Sequence, residues 1–241
     1  MQERISWCAT MSEEDKNERN ALTLLSIERQ NLKPFEIITT EGGNIAQGRN
    51  KYLQKVKGDY IASFDGGCFY PNDYAEKMVD KLNEEDADIV IAPVRPLAKT
   101  LIQSFCATRM PQYDLFTLKD WENFIPSNRQ VIFKRSVIGK LGLLPSGLWR
   151  SDDTYWYRLA REKGLKFAYC EDTCVYWETK TTIKGYLRTV YHDTMSDYKN
   201  GVKPFQAPKK ISVWLFPLGV WICFLAMIMK WTARLKCKRK K

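Results

Sequence analysis

Short apolar runs separated by longer amphipathic stretches fill the chain from Ile5 to Ala92. Ile5 to Ala9 reads as a buried strand, and after a polar stretch a helix places Ala21, Leu22, Leu24, Leu25 and Ile27 at its apolar positions. Pro34 closes that connection, Phe35 to Thr40 is the second strand, and Glu41-Gly42-Gly43 turns out of it. Strand, helix and strand in so short a span form a right-handed βαβ unit. A second such unit runs from a strand at Asp59 to Phe64, through a helix at Asn72 to Asn83, to a strand at Asp88 to Ala92. Beyond Pro93 the alternation becomes irregular, with Pro96, Pro111 and an aromatic-rich stretch from Tyr113 to Phe124. Order returns with a strand at Gln130 to Lys134, a helix end and turn at Gly139 to Pro145, and a helix from Asp153 to Lys163 stopped by Gly164. Short strands at Phe167 to Tyr169 and Cys174 to Trp177 and a helix from Thr182 to Lys199 complete the pattern.

Ile211 to Met229 then runs for 19 residues without a charge, which at about 1.5 Å per residue reaches roughly the 30 Å of a hydrocarbon core. Lys209-Lys210 precede it, and Trp214, Trp221 and Trp231 suit interfacial depths. The expectation is a C-terminal membrane helix. Phe216-Pro217-Leu218-Gly219 can break it, so a single span and a monotopic hairpin with both ends on one side are equal readings. The chain divides accordingly into one α/β domain over residues 1–205 and a membrane-associated segment with a basic tail over 206–241. Its 241 residues suffice for one such domain and an appendage, not for two enzymatic domains.

Charge changes the picture mainly at this end. The net charge of +10 is concentrated in Arg234, Lys236, Lys238, Arg239, Lys240 and Lys241, which fits an anionic membrane surface. No nucleic-acid motif accompanies it, so nucleic acid is not an expected partner. The 7 cysteines are scattered and lack paired metal-ligand spacing, which argues against a disulfide framework or a zinc site and for a reducing compartment. Met1-Gln2-Glu3-Arg4 begins no apolar run fit for a signal peptide, so the folded part is expected on the cytoplasmic face of a membrane.

Candidate chemistry sits at two acidic points. Phe64-Asp65-Gly66-Gly67-Cys68 puts a carboxylate at the C-terminal edge of a strand, with glycines that let backbone approach a ligand. That suits a cation or a diphosphate, although Asp-Gly-Gly is also ordinary turn chemistry. Asp152-Asp153 opens an amphipathic helix, where one acid suffices as a cap. The other is available to face a crevice, and mutual repulsion raises a carboxyl pKa toward that of a general base.

With Asn44-Ile45-Ala46-Gln47-Gly48-Arg49-Asn50 upstream, these segments resemble, over about Ile5 to Gly201, a family-2 glycosyltransferase of the GT-A fold. One subgroup has Asp, a small residue, Gly and Cys in place of Asp-x-Asp, similar to Asp65 to Cys68, and a Pro-Ser-x-Arg-x-x-x-Phe segment, similar to Pro126 to Phe133. Asp152-Asp153-Thr154 and Val175-Tyr176-Trp177 also match its pattern. The resemblance implies a Rossmann-like, mostly parallel sheet flanked by helices. It implies inverting transfer of a sugar from a nucleotide-sugar donor to a lipid-linked or cell-surface polysaccharide precursor.

The resemblance also distributes roles. Thr10 and Glu41 would hold the nucleoside, the family usually having Asp at the second position. Arg49, Asn50, Asp65, Gly66 and Arg129 would meet the diphosphate, and Asp153 would be the base beside Asp152. Trp149 and Trp177 would contact the acceptor, while Trp156 either stacks on it or packs in the core. Asp65 would bind Mg²⁺ or Mn²⁺ only weakly, since the second carboxylate is missing and Trp177 stands where many relatives offer His. His192, the only histidine, reads as a surface residue. Arg129 would then supply part of the positive charge. The chain lacks the helix and strand that relatives usually insert before Asn44, which leaves a second reading: a catalytically inactive GT-A-like membrane scaffold for glycan-assembly enzymes.

Overall fold

A computed structural model describes residues 3–11, 18–108, 124–148, 152–179, 181–199 and 218–238. The strands are β1 (Ile5–Thr10), β2 (Pro34–Thr40), β3 (Tyr60–Ser63), β4 (Cys68–Phe69), β5 (Ile89–Ile91), β6 (Val94–Leu97), β7 (Val131–Lys134), β8 (Phe167–Tyr169) and β9 (Val175–Glu178). The helices are α1 (Glu18–Glu28), α2 (Ile45–Leu53), α3 (Tyr74–Glu84), α4 (Leu101–Thr108), α5 (Ser136–Leu141), α6 (Asp152–Glu162), α7 (Ile183–Lys199) and α8 (Leu218–Lys238), and a 3-10 turn covers Asn128–Gln130. They fall into two compact units, Met1–Arg95 with Leu118–Trp177, and Pro96–Thr117 with Glu178–Lys241.

The first unit is built on a six-stranded sheet in the order β2-β1-β3-β7-β5-β8. β1 runs parallel to β2 and β3, with Trp7 beside Ile37 on one side and Ala62 on the other. β5 runs parallel to β8. Only β7 opposes the rest, its Ile132 facing Ala62 of β3 and Val90 of β5. The expected second βαβ unit is present, with β3 and β5 running the same way across α3 in one sheet and β7 inserted between them. The cause is burial. Val131, Ile132 and Phe133 are all within 1% of full burial, and such a continuous apolar run demands neighbours on both faces and both edges.

Alternation along these strands feeds two cores. Trp7, Ala62, Val90, Ile132 and Ala168 face one side, where Ile27 of α1 and Ala75, Met78, Val79 and Leu82 of α3 cover them. Cys8, Ile61, Ile89, Ile91 and Phe133 face the other, under Tyr52 and Leu53 of α2, Val137 of α5, and Trp156, Tyr157 and Ala160 of α6. Each large apolar side chain buried this way contributes about 1.5–3 kcal/mol. Trp7 anchors the first core, with its ring 4.9 Å from Tyr70 in an edge-on arrangement.

Helix α2 is placed with particular closeness. Asn44 caps it, its side chain accepting from the Gln47 amide at 2.9 Å. At Gly48 an added Cβ would lie 2.2 Å from Thr10 Cγ2, so only glycine lets the helix rest on the end of β1. Thr40 at the end of β2 donates its hydroxyl to the Gly48 carbonyl at 2.6 Å. Arg49, the next residue, is thereby fixed at the C-terminal edge shared by β1, β2 and β3.

The second unit packs α4, α7 and α8 around Phe105, Tyr186, Ile222 and Ala226, Phe105 and Tyr186 meeting edge-on at 5.8 Å. Thr179 donates to the Gln103 carbonyl at 3.1 Å. The expected membrane span is not shown by the described residues. Residues 211–217 lie outside the described residues, α8 starts at Leu218 and continues through Lys230, Arg234 and Lys236, and no described helix is long and apolar enough to cross a membrane.

Candidate active site

At the end of β3 the chain turns through Asp65, Gly66 and Gly67 into β4. Asp65 Oδ2 stands 3.2 Å from Arg129 Nε, and both side chains are partly buried. The Arg129 guanidinium lies over the Trp177 ring, 3.9 Å from its centroid. Pairing of Cys68 with Trp177 across β4 and β9 brings that ring in, and Tyr70 donates its hydroxyl to the Arg129 carbonyl at 3.0 Å. The turn rests on α1: Gly67 has φ +80, its amide donates to Thr23 Oγ1 at 3.1 Å, and a Cβ on Gly66 would come within 2.0 Å of Asn20 Oδ1. Gly66→Ala is expected to cost about 1–3 kcal/mol in denaturant unfolding by this overlap. Adding Asn20→Ala should recover part of it; an unchanged single variant would show that Asn20 yields freely.

A second cluster forms on the other side of the 3-10 turn. Arg49 and Asp152 make an ion pair, with side chains 9% and 5% exposed. Asp152 Oδ2 also faces Asn128 Nδ2 at 3.4 Å, and Tyr157 donates to Asn128 Oδ1 at 2.8 Å. Arg49 Nη1 reaches the Tyr52 hydroxyl at 3.5 Å, which lies 3.2 Å from Ser63 Oγ. Arg49, Tyr52, Asn128, Leu144, Asp152 and Trp156 line a small cleft.

Electrostatics join the two clusters. Burial opposes the Arg49 charge, but Asp152, Tyr52, Asp65 and Asp153 together more than offset it and raise its pKa. Three carboxylates thus act electrostatically on one guanidinium. The half-buried Asp153 carboxyl is pushed up to about 7, first by burial and then by Asp152. Arg49, Arg129 and the Thr154 amide, which donates to Asp153 Oδ1 at 2.8 Å, restrain that rise. A carboxylate whose acid form titrates near neutrality is a stronger base than an ordinary one.

The other expected residues are placed as follows. Thr10 ends β1, its hydroxyl buried against Gly48 with no hydrogen-bond partner among the described residues. Glu41 is exposed just past β2, its carbonyl accepting from Lys51 at 2.7 Å. Asn50 serves the backbone instead. Its side-chain amide donates to the Leu144 carbonyl at 2.8 Å and accepts from the Leu144 N–H at 2.9 Å, clamping the loop after α5 onto α2. Trp177 stacks on Arg129, and Trp156 packs edge-on against Phe133 at 5.2 Å. His192 sits on α7 against Tyr191. Trp149 lies outside the described residues.

Asn128, Tyr52, Tyr157 and Asn20 are site-building residues that the sequence pattern did not single out. Tyr157 follows Asp153 by one helical turn, a spacing that marks it as a neighbour; the others carry no comparable local signal. For a divalent ion the donor set is poor. Asp65 is already matched by Arg129, and no three metal-ligating side chains converge among the described residues.

Comparison with known proteins agrees with this architecture. The structure resembles a mannosyltransferase, PcManGT from Pyrobaculum calidifontis, solved with GDP-Man and Mn²⁺, at TM-score 0.63 and 14% identity over 98% of this chain and 76% of that one. It resembles S. aureus TarS residues 1–349, solved with UDP-GlcNAc, at TM-score 0.54 and 10% identity over 99% of this chain and 92% of that one. Against a longer TarS structure the TM-score is 0.55 at 10% identity, covering 82% of this chain, which spans only 40% of that protein. No curated protein sequence matches this chain. The sequence model described as "Glycosyl transferase family 2" matches residues 16–142, more than half of the 241. The chain, with its α/β sheet flanked by helices, belongs to glycosyl transferase family 2, a family of glycosyltransferases with the GT-A fold.

Proposed function

We propose that this protein is a membrane-attached inverting glycosyltransferase, moving a sugar from a nucleotide-sugar donor to a lipid-linked or cell-surface polysaccharide precursor at the cytoplasmic face. The observation that carries this reading is the buried Arg49–Asp152 ion pair with Asp153 next to it and the Asp65–Arg129 pair nearby in the chain's acidic turn, at the C-terminal edge of parallel strands where α/β folds take nucleotides. The nucleoside lies toward Thr10 and Glu41, and the diphosphate toward Asp65 and Arg129. Asp153 takes the proton of the acceptor hydroxyl. The acceptor oxygen then bonds to the anomeric carbon from the face opposite the diphosphate, and the breaking carbon–oxygen bond leaves its electron pair on the phosphate oxygen. Asp152 keeps Arg49 in place beside this base.

Screening nucleotide sugars for donor hydrolysis tests the reading: turnover of one donor above the rest supports it. Failure of every common nucleotide diphosphate to bind in calorimetry would leave the inactive scaffold instead.

Membrane attachment rests on α8. Trp221 and Trp231 are 65% and 63% exposed, and Phe224, Leu225, Ile228 and Leu235 lie exposed between and beyond them. Lys230, Arg234 and Lys236 accompany this apolar face on the same helix. Such a face edged with cations suits a helix lying in the headgroup region of an anionic leaflet, which favours the monotopic reading over a span. We place catalysis within residues 1–205 and the membrane contact within 206–241. The full chain is expected to float with vesicles containing phosphatidylglycerol, and replacing Trp221 and Trp231 with Ala should largely release it. Equal flotation with pure phosphatidylcholine would remove charge from this account.

A further inference from the structure

We propose that Arg129 is the built-in cation of the diphosphate site, so that nucleoside diphosphate binding and departure proceed without a divalent metal ion; the proposal rests on the glycosyltransferase reading above. Asp65 is followed by Gly66 and Gly67 rather than by a second acid, and its Oδ2 already faces Arg129 Nε at 3.2 Å. A dication entering on Asp65 would have to displace that guanidinium or sit beside it. Displacement separates a side chain only 14% exposed from its carboxylate, and juxtaposition sets like charges together. Both outcomes oppose metal binding.

Arg129 is also held as a preorganised ligand. Trp177 supports the face of its guanidinium at 3.9 Å, and Tyr70 fixes its backbone carbonyl at 3.0 Å. The preceding residue, Asn128, is tied to Asp152 and Tyr157. A guanidinium carries five N–H donors in a planar fork that matches two phosphate oxygens. Asp65 and Trp177 are then positioning residues, and Arg129 is the group that offsets charge as the donor's carbon–oxygen bond breaks toward the diphosphate.

The test uses the full chain, with UDP and GDP as calorimetric probes, in EDTA and in Mn²⁺. The wild type is expected to bind at least one of them with the same affinity, within about twofold, in both conditions. Arg129→Met should weaken that binding in EDTA by at least about tenfold, the size of a lost charge-assisted contact. Mn²⁺ should restore part of it, because Asp65 is released. Arg129→Lys, which keeps the charge but loses the fork and the flat stack, should fall between. Thermal unfolding checks that each variant is folded. Mn²⁺ alone, followed by electron paramagnetic resonance, should stay largely free with the wild type and become bound with Arg129→Met. Wild-type binding that disappears on chelation, or tight Mn²⁺ capture by the wild type, overturns the assignment of Arg129 and leaves the transferase reading standing. If neither UDP nor GDP binds in either condition, the transferase reading fails and takes this proposal with it.

Discussion

Asp153→Asn should keep its fold and its donor affinity and lose transfer by about 10²–10⁴-fold, the range contributed by a positioned general base. The exchange preserves shape and removes the group that accepts the proton. Two pH measurements separate this role from a structural one. Because the Asp153 carboxyl is pushed up to about 7, wild-type kcat/KM should climb with pH and level off above that value, while the residual rate of the variant should lack this limb. Stability should run the opposite way. The folded protein holds this proton more tightly than the unfolded chain, so the group's stabilising contribution is complete below the unfolded value of about 4 and is lost as pH rises through about 7. The thermal midpoint of Asp153→Asn should therefore gain on that of the wild type between about pH 5 and pH 8. Midpoints that stay parallel across this range would move the raised pKa to another residue.

Arg49→Ala should destabilise the protein by about 3–5 kcal/mol in denaturant unfolding, because it strands the Asp152 carboxylate in a buried site. Asp152→Ala should cost a similar amount by stranding Arg49. The double change Arg49→Met with Asp152→Leu should cost clearly less than the sum of the singles, since apolar groups of similar volume remove both desolvation penalties. Additive losses would show that the two side chains act independently. Arg49 also restrains the Asp153 pKa, so whatever activity Arg49→Ala retains should have its rising pH limb displaced upward.

The two acidic points of the chain were legible. A carboxylate closing a strand and an acid pair opening a helix are local patterns, and Asp65 and Asp153 occupy the places those patterns assign. What fills the space between them was not. Arg49 and Asp152 pair across a long stretch of chain, and no periodicity announces which buried cation will meet which buried acid. Asn50 shows the same limit: its position beside Arg49 says nothing about the Leu144 backbone that claims both ends of its amide.

The fold follows the same division. Runs such as Ile89–Ile91 and Val131–Lys134 declare themselves as strands by composition, yet their order in the sheet depends on packing that the local pattern does not encode. For α8 the apolar run from Ile211 to Met229 measured hydropathy rather than helix limits. The described helix runs from Leu218 past Met229. It then continues into the basic residues, since Lys and Arg are good helix formers.

Asn128 and Arg129 are consecutive residues of one three-residue turn, yet Asn128 meets Asp152 and Arg129 meets Asp65. That turn acts as a yoke. In the proposed mechanism, a displacement there would reach nucleophile activation and leaving-group departure together. Efforts to retune the donor side by substitution around Arg129 will therefore shift the pH behaviour of the acceptor side as well.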